Sequence, residues 1–434
     1  MIQSMIRYSV TTFLSKTLVL SCLLLSQAQA QLSIEIGGVG AQQYPIAVLG
    51  FVGASGSLGD ARADEITATV RSDLSRSGLF KLIQASQKLA ETSDAPISEL
   101  RSTGADTVAW GSIARLADGR IEARIKLQDT VRGTLLDNSV LTMRADPRFA
   151  GHQIADRLYE KITGQKGFFT ARLAYVTQLA RDNFELRVAE WDGQYPQTAL
   201  RSREPILSPT FSSEGTRLAY VSFEGGKASI YTHDLATGAR NQIANYRGTN
   251  SAPSFAPDGK SITAALSKDG LAQLYSLGLD GSSPKRLSNT AGIDTEPSFA
   301  SDGTLYFVSD RGGQPQIYKM PGSGGAAQRV TFKGDYNISP AVSPDRRWLA
   351  FISRREGRFA IVVMDLATQA ETVLSDSGTD ESPSFTANSQ FVLYASRRAG
   401  KGVLMLASID GKVRTVLSLA GADVREPTFS NVVQ

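Results

Sequence analysis

The sequence predicts an α/β N-terminal domain followed by an all-β six-bladed β-propeller, and three observations carry that expectation. A Pro-small-Phe tripeptide or a close variant begins at Pro209, Pro253, Pro297, Pro340, Pro383 and Pro427, at intervals of 44, 44, 43, 43 and 44 residues. The first five are each followed by a tight turn and a short apolar β-type run, the period and content of a propeller blade. Residues 31–167 lack this repeat and instead mix apolar strands with segments of helical spacing.

The first thirty residues stand apart. Arg7 and Lys16 are their only charges, and the apolar run Leu18–Leu25 is too short to span a bilayer. Ala28-Gln29-Ala30 supplies small residues where a signal peptidase cuts, so residues 1–30 read as a cleaved secretory signal. Acylation at Cys22 is the rival reading, but Val19-Leu20-Ser21 is a poor lipobox. Removal of the segment leaves a nearly neutral chain without cysteine, suited to an oxidising compartment. The protein is expected to be soluble and exported.

Residues 31–167 read as the α/β domain. Leu32, Ile34 and Ile36 alternate in an N-terminal arm (31–41), and Ile46–Phe51 is a compact apolar strand. Ile66, Val70 and Leu74 recur at helical spacing, with Gly78 placed to end that helix. Strands are expected near Phe80–Ile83, Thr107–Ala114, Ile121–Asp129 and Leu135–Met143. Asp146-Pro147 opens a second helix that Gly164 stops.

The propeller occupies residues 168–434. Its turns, such as Ser213-Glu214-Gly215 and Pro257-Asp258-Gly259, use residues that tolerate positive φ or bond locally. Apolar runs such as Leu218–Val221 and Leu305–Val308 follow them. A matching run, Leu173–Val176, has no Pro-small-Phe strand before it, whereas Pro427-Thr428-Phe429 has no strands after it. The last strand is therefore expected to complete the first blade, which would hide two free edges.

Composition argues against catalysis. One cysteine excludes thiolate metal clusters, and two histidines, His152 and His233, leave little for zinc or Ser-His-Asp chemistry. Gly53-Ala54-Ser55-Gly56-Ser57 lacks the final glycine of a nucleophile elbow. Gly322-Ser323-Gly324-Gly325 sits where other repeats turn. A net charge of +4 with no basic run interleaved with aromatics gives no footprint for nucleic acid. No stretch after the leader is long and apolar enough for a membrane helix.

The residues just before each Pro-small-Phe strand should ring one mouth of the axial channel. They include Thr249, Asn250 and Ala252; Asp294, Thr295 and Glu296; Asn337 and Ser339; Asp380 and Glu381; and Asp423, Arg425 and Glu426. Six of these are acids. Either this is a solvated rim, or it is a docking funnel for a partner presenting positive charge, or a calcium site built from oxygen ligands. No other cofactor is called for.

With the repeats in view, the chain resembles the TolB family, the periplasmic component of the Tol-Pal envelope system. Ser254-Phe255-Ala256-Pro257-Asp258-Gly259 and Asp310-Arg311-Gly312-Gly313-Gln314-Pro315-Gln316-Ile317-Tyr318 carry the resemblance, with the order of leader, α/β domain and six repeats. It implies a monomeric protein–protein adaptor, not an enzyme, that supports outer-membrane integrity and cell division. It further implies that the Pal lipoprotein docks at the mouth residues above, with Thr249, Ala252 and Thr295 the best aligned. TolA would engage the arm Gln31, Leu32, Ser33, Ile34, Glu35 and Ile36, and colicin-type bacteriocins could compete for the Pal site. The sequence departs from the family's pattern in having Glu35 as the arm's only acid and Thr249 where a histidine is usual. The alternatives are a propeller that gates substrate to a peptidase or sugar-processing enzyme, and a propeller enzyme with an axial metal.

Overall fold

The computed structural model describes residues 43–53, 60–280, 282–375, 377–417 and 423–431. The expected leader and the arm Gln31–Ile36 lie outside the described residues.

The N-terminal domain is a mixed sheet with helices on both faces. Its strands are β1 (Tyr44–Val48), β2 (Val52–Gly53), β3 (Phe80–Ile83), β4 (Thr107–Arg115), β5 (Ile121–Asp129) and β6 (Leu135–Met143), in the order β3-β1-β4-β5-β6 with β2 beside β4. The expected strand Ile46–Phe51 is thus shorter and starts earlier. β1 pairs in parallel with β3 and β4, while β4, β5 and β6 form an antiparallel meander. Alternation along β1 sends Ile46 and Val48 to one face and Ala47 to the other.

The first face is covered by helices α1 (Asp60–Arg76) and α3 (Pro147–Thr163), which pack on each other. Ile66, Val70 and Leu74 of α1 are fully buried, each contributing about 1.5–3 kcal/mol. Helix α3 starts where Asp146 accepts a hydrogen bond from the Phe149 amide at 3.1 Å, and stops at Gly164 with φ 75°. Close approach of the helices depends on Gly151, where a Cβ would meet Thr69 Cβ at 2.5 Å. The opposite face holds a short helix, α2 (Ile97–Ser102), whose Leu100 packs with Trp110. At six residues it is too short for periodicity to reveal.

Six four-stranded antiparallel sheets follow. In blades 2 to 6 the innermost strands are Ile206–Phe211, Asn250–Phe255, Asp294–Phe299, Tyr336–Val342 and Glu381–Phe385. In blade 1 the innermost strand is the C-terminal Asp423–Phe429, paired with Arg172–Ala180. Each innermost strand touches those of the two adjacent blades, so the six close a ring. Ser430 fastens the closure, its Oγ accepting from the Arg172 amide at 2.9 Å.

The α/β domain sits on blades 1 and 6 through a core shared with Phe168, Phe169, Trp191, Phe391 and Val413. Beside it lies an ion network. His152 Nδ1 is 2.6 Å from Asp73 Oδ2, and its Nε2 is 3.2 Å from Glu190 Oε2. Trp191 Nε1 donates to Asp73 Oδ1 at 2.9 Å, Arg148 reaches Glu190 at 2.5 Å, and Arg76 reaches Asp192 at 2.5 Å. Asp73 and Arg76 come from α1, Arg148 and His152 from α3, and Glu190 and Asp192 from blade 1. With both ring nitrogens facing carboxylates, His152 is an imidazolium. Burial opposes that charge, but the two acids outweigh it and hold its pKa up at about 10. His152, which the sequence left without a role, is thus part of the domain junction.

Candidate partner-binding site

The channel is built by one local motif used six times. Immediately before the repeat proline stand Ser208, Ala252, Glu296, Ser339, Ser382 and Glu426, all with φ between 48° and 54°. No glycine occupies these left-handed positions, so each costs on the order of 1–2 kcal/mol. At each, the pairing with the second strand shifts register, as between Thr295 and Ser298 or Arg425 and Thr428. These are β-bulges, which turn a side chain out of the strand's alternation. The following proline has no amide hydrogen, so placing it at the bulge loses no ladder bond.

The six side chains line an axial cavity of about 800 Å³. Glu296 Oε2 accepts from the Ser339 amide at 2.5 Å and from Ser339 Oγ at 3.1 Å, tying blade 4 to blade 5. Glu426 Oε2 accepts from the Ser208 amide at 3.2 Å and Ser382 Oγ at 3.3 Å, tying blade 1 to blades 2 and 6. Glu381 also lines the cavity and accepts no hydrogen bond among the described residues. Although these carboxyls retain some accessible surface, protein surrounds them within the channel. Burial drives the pKa of Glu426 up, helped by the negative charges of Glu381 and Glu296, to about 7. Burial likewise raises Glu296, and raises Glu381 against the pull of Arg425 and Arg397.

The residues expected at the mouth divide into three groups. Ala252, Glu296, Ser339, Glu381 and Glu426 line the channel. Thr249 is exposed at the rim, with Thr295, Asp423 and Arg425 half-buried near it. Asn250, Asp294, Asn337 and Asp380 are buried inside their blades and do not present a surface. Asn250 bonds the backbone of Tyr246, Asp294 pairs with Arg311 at 2.9 Å, Asn337 donates to Gln316, and Asp380 accepts from Ser377 Oγ. The acidic rim is therefore smaller than the sequence suggested, because the bulge reverses which residues face inward. Ser382, which follows Asp380 and Glu381 in the expected mouth segment, also lines the channel, as does Ser208, which the sequence reading did not include. The position of Ser208 before the repeat proline was the signal that could have found it.

Among the described residues no three His, Cys, Asp or Glu side chains are gathered to hold a metal ion. The donor set does not fit the calcium site entertained from sequence, and no axial metal is assigned. The α/β domain touches the turns at Asp192, Asn388 and Val413, which lie at the far ends of the strands from the left-handed residues. The left-handed residues thus lie toward the end of the innermost strands away from that domain, and the cavity runs from them to the turns at Ser213, Pro257, Ser301 and Pro344.

A closed six-bladed propeller with carboxylates in its axial channel and a small α/β domain packed on blades 1 and 6 defines the class. Residues 32–136 match the family described as the TolB amino-terminal domain, and residues 159–433 match the TolB beta propeller domain. This chain belongs to the TolB family. A relative from Dechloromonas aromatica, named Tol-Pal system protein TolB, is 50% identical over 252 residues, covering 57% of each chain. One of the same name from Bordetella parapertussis is 48% identical over 227 residues, covering 52% of this chain and 50% of the relative. The chain thus spans little more than half the length of the curated relatives it matches. The crystal structure of TolB from Acinetobacter baumannii superposes with a TM-score of 0.81 at 36% identity, covering 92% of this chain and 100% of that one.

Proposed function

We propose that this chain is the TolB of a Tol-Pal envelope system, a monomeric, non-catalytic periplasmic adaptor. In this reading the Pal lipoprotein docks at the channel mouth, and TolA engages the arm Gln31–Ile36. The adaptor thereby supports outer-membrane integrity and constriction at division. The observation that carries the mouth assignment is Glu381, a channel carboxylate without a hydrogen-bond donor among the described residues, beside a ring of strained left-handed residues. A cationic group entering from a partner would satisfy Glu381 and relieve its burial cost. Strain held at six equivalent positions is the mark of a preorganised site. No helix among the described residues is long and apolar enough to cross a membrane, which fits a partner-recruiting role from the aqueous side.

A pull-down from solubilised envelope extract tests this. Wild-type protein should retain a Pal-like lipoprotein, Glu381→Lys should lose it, and deletion of residues 31–36 should lose TolA while keeping Pal. Retention of the lipoprotein by Glu381→Lys would move the site elsewhere, and capture of neither protein by wild type would remove the assignment.

A further inference from the structure

A second surface lies outside the channel, at the outer seam between blades 4 and 5. A groove of about 390 Å³ runs there, floored by Tyr306, Val330 and Leu366, which belong to the core between the two blades. Lys319, Arg329 and Lys333 stand along it. None of the three forms an ion pair among the described residues. Among the described residues the one acid on the wall is Glu371, half-buried with its carboxylate held by Arg355 at 2.7 Å, so the groove carries an uncompensated positive charge. At its lip Phe332 is 70% exposed, the most exposed large apolar side chain among the described residues. Arg329 braces that ring, its guanidinium 5.3 Å from the ring centroid while its Nε donates to the Thr331 carbonyl at 2.7 Å.

We propose that this seam binds an extended acidic peptide segment of a partner protein, with an apolar side chain laid on Phe332. Three cations along a narrow trench match spaced carboxylates, and the apolar floor and lip match the side chains alternating between them. The outermost strand of blade 4, Gln328–Arg329, is only two residues long and pairs on one side only, which leaves room for an extended chain beside it. An anionic bilayer would meet Phe332 and the lysines but could not reach Tyr306 and Val330, which are 6% and 5% exposed at the floor. The trench therefore favours a peptide over a lipid surface. This site is independent of the channel mouth.

The test is fluorescence anisotropy of a fluorescein-labelled octapeptide of alternating glutamate and leucine, titrated with the full chain. A lysine–leucine octapeptide is the control, together with sedimentation on phosphatidylglycerol–phosphatidylethanolamine vesicles. The acidic peptide should bind saturably below about 1 mM and weaken as salt rises. The triple variant Lys319→Glu, Arg329→Glu, Lys333→Glu should lose at least about tenfold, and Phe332→Ser several-fold. These side chains are exposed or half-exposed, so the fold should tolerate the changes, and circular dichroism checks it. Glu381→Lys, at the mouth, should leave the peptide's affinity unchanged. Equal binding by the triple variant, no saturable binding by wild type, or vesicle binding in place of peptide binding would each overturn the proposal.

Discussion

Replacing His152 with alanine should uncouple the α/β domain from the propeller. The imidazolium is 3% exposed and sits between Asp73 and Glu190. Its loss leaves Asp73, which is fully buried, with Trp191 as its remaining hydrogen-bond partner. Stranding a buried charge in this way costs about 3–5 kcal/mol. An independent figure comes from the proton affinity. A rise from the ordinary 6.5 to about 10 is worth roughly 5 kcal/mol at 1.36 kcal/mol per tenfold change. That is an upper value, because burial also raises the pKa of Asp73 and takes part of the gain back. The sign follows from linkage. A raised histidine contributes fully below its unfolded pKa near 6.5, and the contribution drains away as pH climbs toward 10. Differential scanning calorimetry of wild type should show the junction weakening between pH 7 and pH 10. His152→Ala should melt earlier at pH 6.5, with the N-terminal domain separating as its own transition, and should lack that alkaline slope. A single transition at the wild-type temperature, with the wild-type pH profile, would refute the reasoning.

Three further outcomes follow from the ring. Glu426→Gln should raise stability above pH 7 by about 1–3 kcal/mol and leave it nearly unchanged below about pH 4, since a carboxyl raised from 4.5 to about 7 loses stability as pH rises between those values. Urea titrations at about pH 4 and pH 8 check the difference. At the left-handed Ala252, with φ 48°, a β-branched valine should cost about 2 kcal/mol or more, whereas glycine should stay within about 0.5 kcal/mol because relief of strain offsets added chain freedom. Equilibrium urea unfolding distinguishes the two. Deletion of residues 423–434 should leave blade 1 with three strands and an open edge, so size-exclusion chromatography should show association and calorimetry a loss of cooperative melting.

The architecture was largely legible because repetition is robust to local error. The intervals between the repeat prolines fix the blades, and the unmatched runs at Leu173 and Pro427 together imply that the first blade closes with the last strand. Helix α3 could be bounded because Asp146, Pro147 and Gly164 are residues whose chemistry serves helix ends. The mouth was read less well, for a geometric reason. Strand alternation alone places Asp294 and Glu296 on one face, yet Asp294 is buried against Arg311 while Glu296 lines the channel. The bulge between Thr295 and Ser298 intervenes, and a left-handed alanine, serine or glutamate leaves no glycine to announce it. The junction network was invisible for another reason. Its partners Asp73, His152 and Glu190 lie far apart in the chain, and no local pattern links them.

The most direct measurement is titration calorimetry of the soluble domain of the proposed Pal partner against wild type and Glu381→Lys, at low and high salt. If the acidic mouth is the docking site, reversing Glu381, whose carboxylate accepts no hydrogen bond among the described residues, should weaken binding by about ten- to a hundredfold, with the wild-type affinity falling as salt rises. Equal affinities for the two proteins, insensitive to salt, would contradict it.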